Sequence, residues 1–82
     1  MKEILLTAKV IKGELAITLS GGTYEQKEEI KALGYYWDSF SNEWVKKITP
    51  DQFKEVVGEV ITTFGLTKKN LSASKEAQHL LK

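Results

Sequence analysis

The sequence predicts a small α+β protein in which an antiparallel sheet carries helices on one face. Three observations support this fold class. The first twenty residues alternate with a period of two, an aromatic-rich stretch near position 40 contains a cluster of turn-forming residues, and residues 49–65 carry a helical apolar stripe with a cap at each end. The predicted order is ββαββα. We expect one domain over residues 1–66 and a polar C-terminal tail over residues 67–82.

Composition narrows the class of protein further. The 82 residues carry a formal net charge of +1 and contain no cysteine, so we expect neither a disulfide framework nor a polybasic nucleic-acid arm. No segment approaches the ~18 apolar residues of a transmembrane helix. The N-terminal stretch lacks the apolar core of a signal peptide. The sequence therefore predicts a cytoplasmic protein that does not associate with a membrane.

The first hairpin is predicted from two alternating runs joined at Lys12-Gly13, where glycine supplies the positive φ of a tight turn. The apolar positions of these runs are Ile4, Leu6, Ala8, Val10, Leu15, Ile17 and Leu19. The first run also has Leu5 and Ile11 on its other face. An edge strand or a homodimer interface would bury them.

The first helix is predicted to begin at Thr23, because Gln26 follows at capping-box spacing, and to end before Gly34. Its apolar stripe is thin, so we expect a surface helix. Three carboxylates are expected to face water on it, namely Glu25, Glu28 and Glu29.

The second hairpin is predicted around the Asp/Ser/Asn cluster of residues 38–42. In its last strand, alternation places Trp44 and Ile48 on one face and Val45 and Lys47 on the other.

The second helix has the strongest signal in the chain. Thr49 and Gln52 form a second capping box, Pro50 occupies the first helical position, and Gly65 ends the helix. The apolar stripe between these caps consists of Phe53, Val56, Val57, Val60, Ile61 and Phe64.

The tail over residues 67–82 is polar and rich in lysine, with a weak helical pattern from Ser74 to Leu81. Three alternatives remain open for it: a frayed tail, a helix docked on the sheet, or a segment that orders on a partner.

Catalytic signals are absent from the sequence. The single histidine, His79, lies in the tail with no matching base, and no cysteine nucleophile exists. Residues 20–23 precede a helix, but they lack the spacing of a phosphate-binding loop, and Glu25 would repel an anion. The carboxylates of the first helix have no histidine at metal-ligand spacing. We therefore predict a protein that is not an enzyme and needs neither a cofactor nor a metal.

Five aromatic residues lie between positions 35 and 44. We expect Trp37 and Trp44 to belong to the core, since small domains use large aromatics to bury sufficient area. Tyr36 alternates away from Trp37, and Phe40 falls in the loop. We therefore expect the side chains of Tyr36 and Phe40 to be exposed to solvent. Exposed rings beside lysines form the surface on which single-stranded nucleic acid stacks its bases. Aromatic residues are equally enriched in protein-binding hot spots, and the sequence leaves both alternatives open.

The stretch from Ile30 to Asp38 reads IKALGYYWD, and after a short loop Glu43–Lys47 reads EWVKK. This pattern resembles a small module with a capped helix, a glycine and a two-tryptophan hairpin that occurs beside DNA-processing domains. It is also similar to the HARP domain of annealing helicases. The resemblance covers about Thr23 to Phe64 and implies binding to single-stranded or branched DNA. The chain departs from the module at Tyr36, where arginine is common, and at residues 45–47, where Tyr-Val-Pro is common.

Two functional hypotheses follow. The leading one is a DNA-binding accessory module, with Tyr36 and Phe40 stacking on bases. Its expected phosphate contacts are Lys46, Lys47, Lys68 and Lys69. The alternative is a small protein–protein adaptor or inhibitor, of the kind that phages and mobile elements encode, acting on a nucleic-acid enzyme. It would use the acidic first helix or the apolar side of the tail, and a homodimer is compatible with both hypotheses.

Overall fold

Five strands form one mixed sheet in the computed structural model, which describes residues 3–81. The strands are β1 (Ile4–Ile11), β2 (Glu14–Gly21), β3 (Tyr36–Asp38), β4 (Glu43–Lys47) and β5 (Leu71–Ala73). The helices are α1 (Lys27–Ala32), α2 (Phe53–Phe64) and α3 (Lys75–Leu80), with short 3-10 turns at Tyr24–Gln26, Pro50–Gln52 and Lys68–Asn70. The order across the sheet is β3-β4-β2-β1-β5, and β5 runs parallel to β1 while the other pairs are antiparallel.

The first hairpin forms as predicted, with a two-residue turn between β1 and β2. Lys12 and Gly13 both have positive φ, at 51° and 80°, which is the backbone that matches the twist of a tight hairpin. The expectation of an edge strand is wrong for β1, because β2 pairs with one side of it and β5 with the other. Its Leu5 side chain is therefore exposed on a sheet face rather than at an edge.

The core lies on one face of the sheet, and all three helices contribute to it. Alternate residues of β1 and β2 point toward the helices, and Ile30 of α1, Val60 of α2 and Ala77 of α3 pack against them with no exposed surface. The predicted α+β architecture with helices on one face is confirmed. Of the helices within residues 3–81, none combines the length and apolar character needed to cross a membrane.

The start of the first helix differs from the prediction. The segment Tyr24–Gln26 is a 3-10 turn, and α1 begins only at Lys27. Thr23 makes no side-chain cap hydrogen bond, because its backbone is itself in the helical region (φ −93°, ψ −13°) and its side chain is buried. An N-cap residue needs extended backbone to direct its oxygen at the first turn, so no capping box forms here.

The second helix agrees with its sequence signals. The backbone N–H of Thr49 donates to the Gln52 side chain at 3.0 Å, and the reciprocal bond completes the capping box. Gly65 ends α2 in the left-handed region at φ 64°. Val56 and Val60, which belong to the apolar stripe of α2, are buried as predicted.

The C-terminal segment is part of the domain rather than a separate tail. Ser74 caps α3 by accepting a hydrogen bond from the Ala77 N–H at 3.1 Å, and Ala77 is buried in the core. The docked-helix alternative therefore describes residues 75–80. The strand β5 was not predicted, because a three-residue strand is too short to show an alternating pattern.

Candidate functional site

The hairpin formed by β3 and β4 lies at one edge of the sheet. Tyr36 is opposite Val45 and Trp37 is opposite Trp44, while no described strand pairs with the other side of β3. Because side chains alternate along a strand, Tyr36 projects from the face opposite the helices and Trp37 from the helical face. We call the former the open face; it carries Thr7, Lys9, Thr18, Tyr36, Val45 and Lys47.

Tyr36 and Phe40 are exposed, as predicted. Half of the Tyr36 surface is accessible, and Phe40 is fully accessible at the tip of the hairpin. The carboxylate of Asp38 accepts a hydrogen bond from the Phe40 N–H at 2.9 Å, and Asn42 has a positive φ of 57°. This hydrogen bond stabilises the turn, while the one large apolar side chain of the turn remains in water.

The prediction that both tryptophans belong to the core is wrong for one of them. Trp44 is buried, but Trp37 is 47% exposed. The two rings meet edge to face, with centroids 5.3 Å apart and planes inclined at 65°. Trp37 stays accessible because it lies on an edge strand and is covered by Trp44 on one side only. The hairpin therefore exposes three aromatic rings within five residues.

Both lysines on the open face are paired with carboxylates. Lys47 Nζ lies 3.3 Å from Glu14 Oε2, and both side chains are well exposed. Lys9 Nζ contacts Glu43 Oε1 across β2, in a more protected setting. Sequence reasoning did not single out Lys9. The available signal was its position in β1, where it alternates with the core residues and so shares a face with Tyr36.

The structure separates Lys46 from Lys47. Lys46 points to the helical face, where its Nζ donates to the Leu33 carbonyl at 2.8 Å. The same ammonium lies 5.7 Å from the centroid of the Tyr35 ring. Because Leu33 ends α1, this lysine satisfies a carbonyl that the helix leaves without an internal partner. Only Lys47 of this pair shares a face with Tyr36.

Lys68 and Lys69 lie near the opposite edge of the sheet, in the turn that leads into β5. Four strand spacings separate β5 from β3, which amounts to about 19 Å. Lys69 Nζ is 3.5 Å from a carboxylate oxygen of Glu3. These two lysines therefore do not form one cluster with the aromatic hairpin.

Tyr35 is the one strongly perturbed titratable group among residues 3–81. Its side chain is buried, and its hydroxyl makes no hydrogen bond within that part of the chain. Burial raises the pKa of Tyr35 well above its usual value near 10, and the negative charge of Glu59 adds to the increase. The described residues contain no group of three histidine or acidic side chains arranged to hold a metal ion.

The hairpin exposes aromatic rings, and the open face carries two cations, of which Lys47 is held by an exposed ion pair and Lys9 by a more protected one. Comparison of the chain with protein-family models, with curated proteins and with solved structures gave no match.

Proposed function

We propose that this protein is a non-enzymatic module that binds single-stranded or branched DNA through the aromatic hairpin and the open face. The observation that carries the proposal is the exposure of Tyr36, Trp37 and Phe40 within a five-residue stretch. Burying a large apolar side chain contributes about 1.5–3 kcal/mol, and a small domain forgoes part of that gain by leaving two such rings half-exposed and a third fully exposed. A ligand with flat apolar surfaces accounts for that exposure.

Nucleobases are such a ligand. Stacking on an aromatic side chain contributes about 1–3 kcal/mol per base and tolerates any sequence. Bases in an intact duplex are already stacked on one another, so exposed rings favour single strands and the unpaired parts of forks.

Lys47 supplies the cation closest to Tyr36 on the open face. It lies two positions beyond Val45, the cross-strand partner of Tyr36, so a strand whose base stacks on Tyr36 has its phosphates within reach of the ammonium. Its bond to Glu14 is solvent-exposed, and exposed ion pairs contribute only about 0–1 kcal/mol. A phosphate can therefore replace the carboxylate at small cost.

The test is fluorescence anisotropy of labelled single-stranded, double-stranded and forked DNA, titrated at low and at moderate salt. We expect binding that prefers single strands and forks and weakens with salt, because each neutralised phosphate releases counterions. Absence of binding at low salt, or affinity that does not change with salt, would overturn the proposal.

A matched pair of variants assigns the binding to this surface. Tyr36→Ala removes a half-exposed ring from the open face, and Tyr24→Ala removes a more exposed tyrosine from the helical side. We expect the first to weaken single-strand binding by about fivefold to a hundredfold, the equivalent of one lost stack, and the second to leave it unchanged. Equal losses in the two variants would show that the open face is not the binding surface.

A further inference from the structure

A groove lies on the helical side of the molecule, away from the open face. It has a volume of about 750 Å³ and runs between the 3-10 turn at Tyr24–Gln26 and the C-terminal end of α2. Ile4, Phe64 and Leu66 supply apolar surface to its wall, and the last two are only partly buried in the core. The groove therefore combines a partly apolar wall with polar groups, as a site for a side chain or an extended peptide does.

The rim of this groove is acidic. Glu3, Glu25 and Glu29 line it, and Glu3 is paired with Lys69. Within residues 3–81, neither Glu25 nor Glu29 takes part in an ion pair, whereas the neighbouring Glu28 pairs with Lys31 outside the groove. Two rim carboxylates thus have no cationic partner among residues 3–81, and their charge attracts a cation and repels a phosphate.

The rim also carries the exposed ring of Tyr24, which is 77% accessible. Lys27 Nζ lies 4.6 Å from the centroid of this ring, so a cation of the chain itself already uses it. A ring face beside carboxylates suits a guanidinium, which stacks on aromatics and pairs with carboxylates in the same pose.

We infer that the groove docks an arginine-bearing basic segment of a protein partner, with an apolar side chain of that segment against Phe64 and Leu66. Charge complementarity favours this occupant: the acidic rim attracts a cation, and Phe64 and Leu66 offer contact to an apolar side chain beside it. The groove and the open face are separate surfaces, so the inference does not depend on binding of DNA.

The probe is a fluorescein-labelled peptide in which arginines alternate with leucine and glycine, together with a counterpart carrying glutamate in place of every arginine. Anisotropy titrations of the full chain are expected to show binding of the basic peptide alone. Binding of neither peptide, or of both equally, would overturn the inference.

Adjacent residues of one helix provide the matched control. Glu29→Gln removes a rim carboxylate, and Glu28→Gln removes an equal charge that does not line the groove. We expect Glu29→Gln to weaken peptide binding by about threefold to fivefold, the scale of one exposed ion pair, and Tyr24→Ala to weaken it by a similar factor. Glu28→Gln and Tyr36→Ala are expected to leave it unchanged. An equal loss in Glu28→Gln and Glu29→Gln would show general charge attraction without a site. Circular dichroism of each variant is the control that tests whether the fold is retained.

Discussion

Two neighbouring lysines on β4 are expected to behave oppositely when their charges are removed. Lys46→Met and Lys47→Met each delete one positive charge and keep an unbranched stem of similar length. The structure directs Lys46 to the C-terminal end of α1 and Lys47 to the open face. The first substitution should therefore affect the stability of the fold, and the second should affect the binding of DNA.

The size of each effect follows from the contacts. A phosphate contact contributes about 0.7 to the slope of log affinity against log salt for a single strand. Loss of the Lys47 contact should flatten that slope by this amount, so raising salt from about 50 to about 200 mM weakens the wild type about 2.5-fold more than Lys47→Met. Lys46→Met loses a charge-assisted hydrogen bond to Leu33, which contributes about 1–2 kcal/mol to the free energy of unfolding in this partly exposed setting.

The assays are salt-dependent anisotropy with a labelled single strand and thermal unfolding followed by circular dichroism. For a domain of this size, the loss of about 1 kcal/mol lowers the melting temperature by about 4–8 °C. Lys47→Met should melt close to the wild type, because its ion pair with Glu14 is exposed on both sides. A flattened salt slope in Lys46→Met alone would refute the assignment of faces, and an unchanged slope in both variants would remove β4 from the DNA contact.

Two further substitutions test the polar groups nearest these surfaces. Tyr35→Phe removes a buried hydroxyl that has no partner among residues 3–81, so we expect it to raise the free energy of unfolding by about 1 kcal/mol at neutral pH. Because burial raises the pKa of Tyr35 in the fold, the unfolded chain ionises first above about pH 10 and the stability of the wild type falls there. The advantage of Tyr35→Phe in thermal unfolding should therefore widen as the pH rises. A variant less stable than the wild type would indicate that the hydroxyl has a hydrogen-bond partner. Glu14→Gln frees Lys47 from its ion pair and removes a negative charge, so single-strand affinity at low salt should rise by up to about fivefold in anisotropy titrations, whereas weaker or unchanged binding would count against Lys47 as a phosphate contact.

Local signals in the sequence predicted the elements whose structure is determined locally. The turn at Lys12-Gly13, the capping box of Thr49 and Gln52, and the helix end at Gly65 all follow from the backbone preferences of a few adjacent residues. The capping box at Thr23 has the same spacing but does not form, because the Thr23 backbone lies in the helical region and not in the extended conformation of an N-cap residue. Spacing alone does not report that constraint.

Features that depend on strand order could not be predicted from the sequence. The alternating pattern of β1 is the same for an edge strand and for an internal one, and only the pairing with Leu71–Ala73 makes it internal. The exposure of Trp37 has the same origin, because it depends on the position of β3 at the end of the sheet. Alternation did predict that Lys47 and Trp44 project from opposite faces of β4, but it did not connect Lys46 with the end of α1.

The position of β5 also changes how a partner-binding role of the C-terminal segment can be tested. Deletion of residues 67–82 removes a strand that pairs with β1 and takes the buried Ala77 out of the core. Loss of a partner after such a deletion would therefore report damage to the fold as readily as a lost contact. Single substitutions at the groove and on the open face avoid this difficulty, because Tyr24, Glu29 and Tyr36 are exposed and leave the core intact. If Tyr36→Ala reduces only the binding of DNA and Glu29→Gln reduces only the binding of the basic peptide, the two faces have separate ligands, and the chain can hold a DNA strand and a protein segment at the same time.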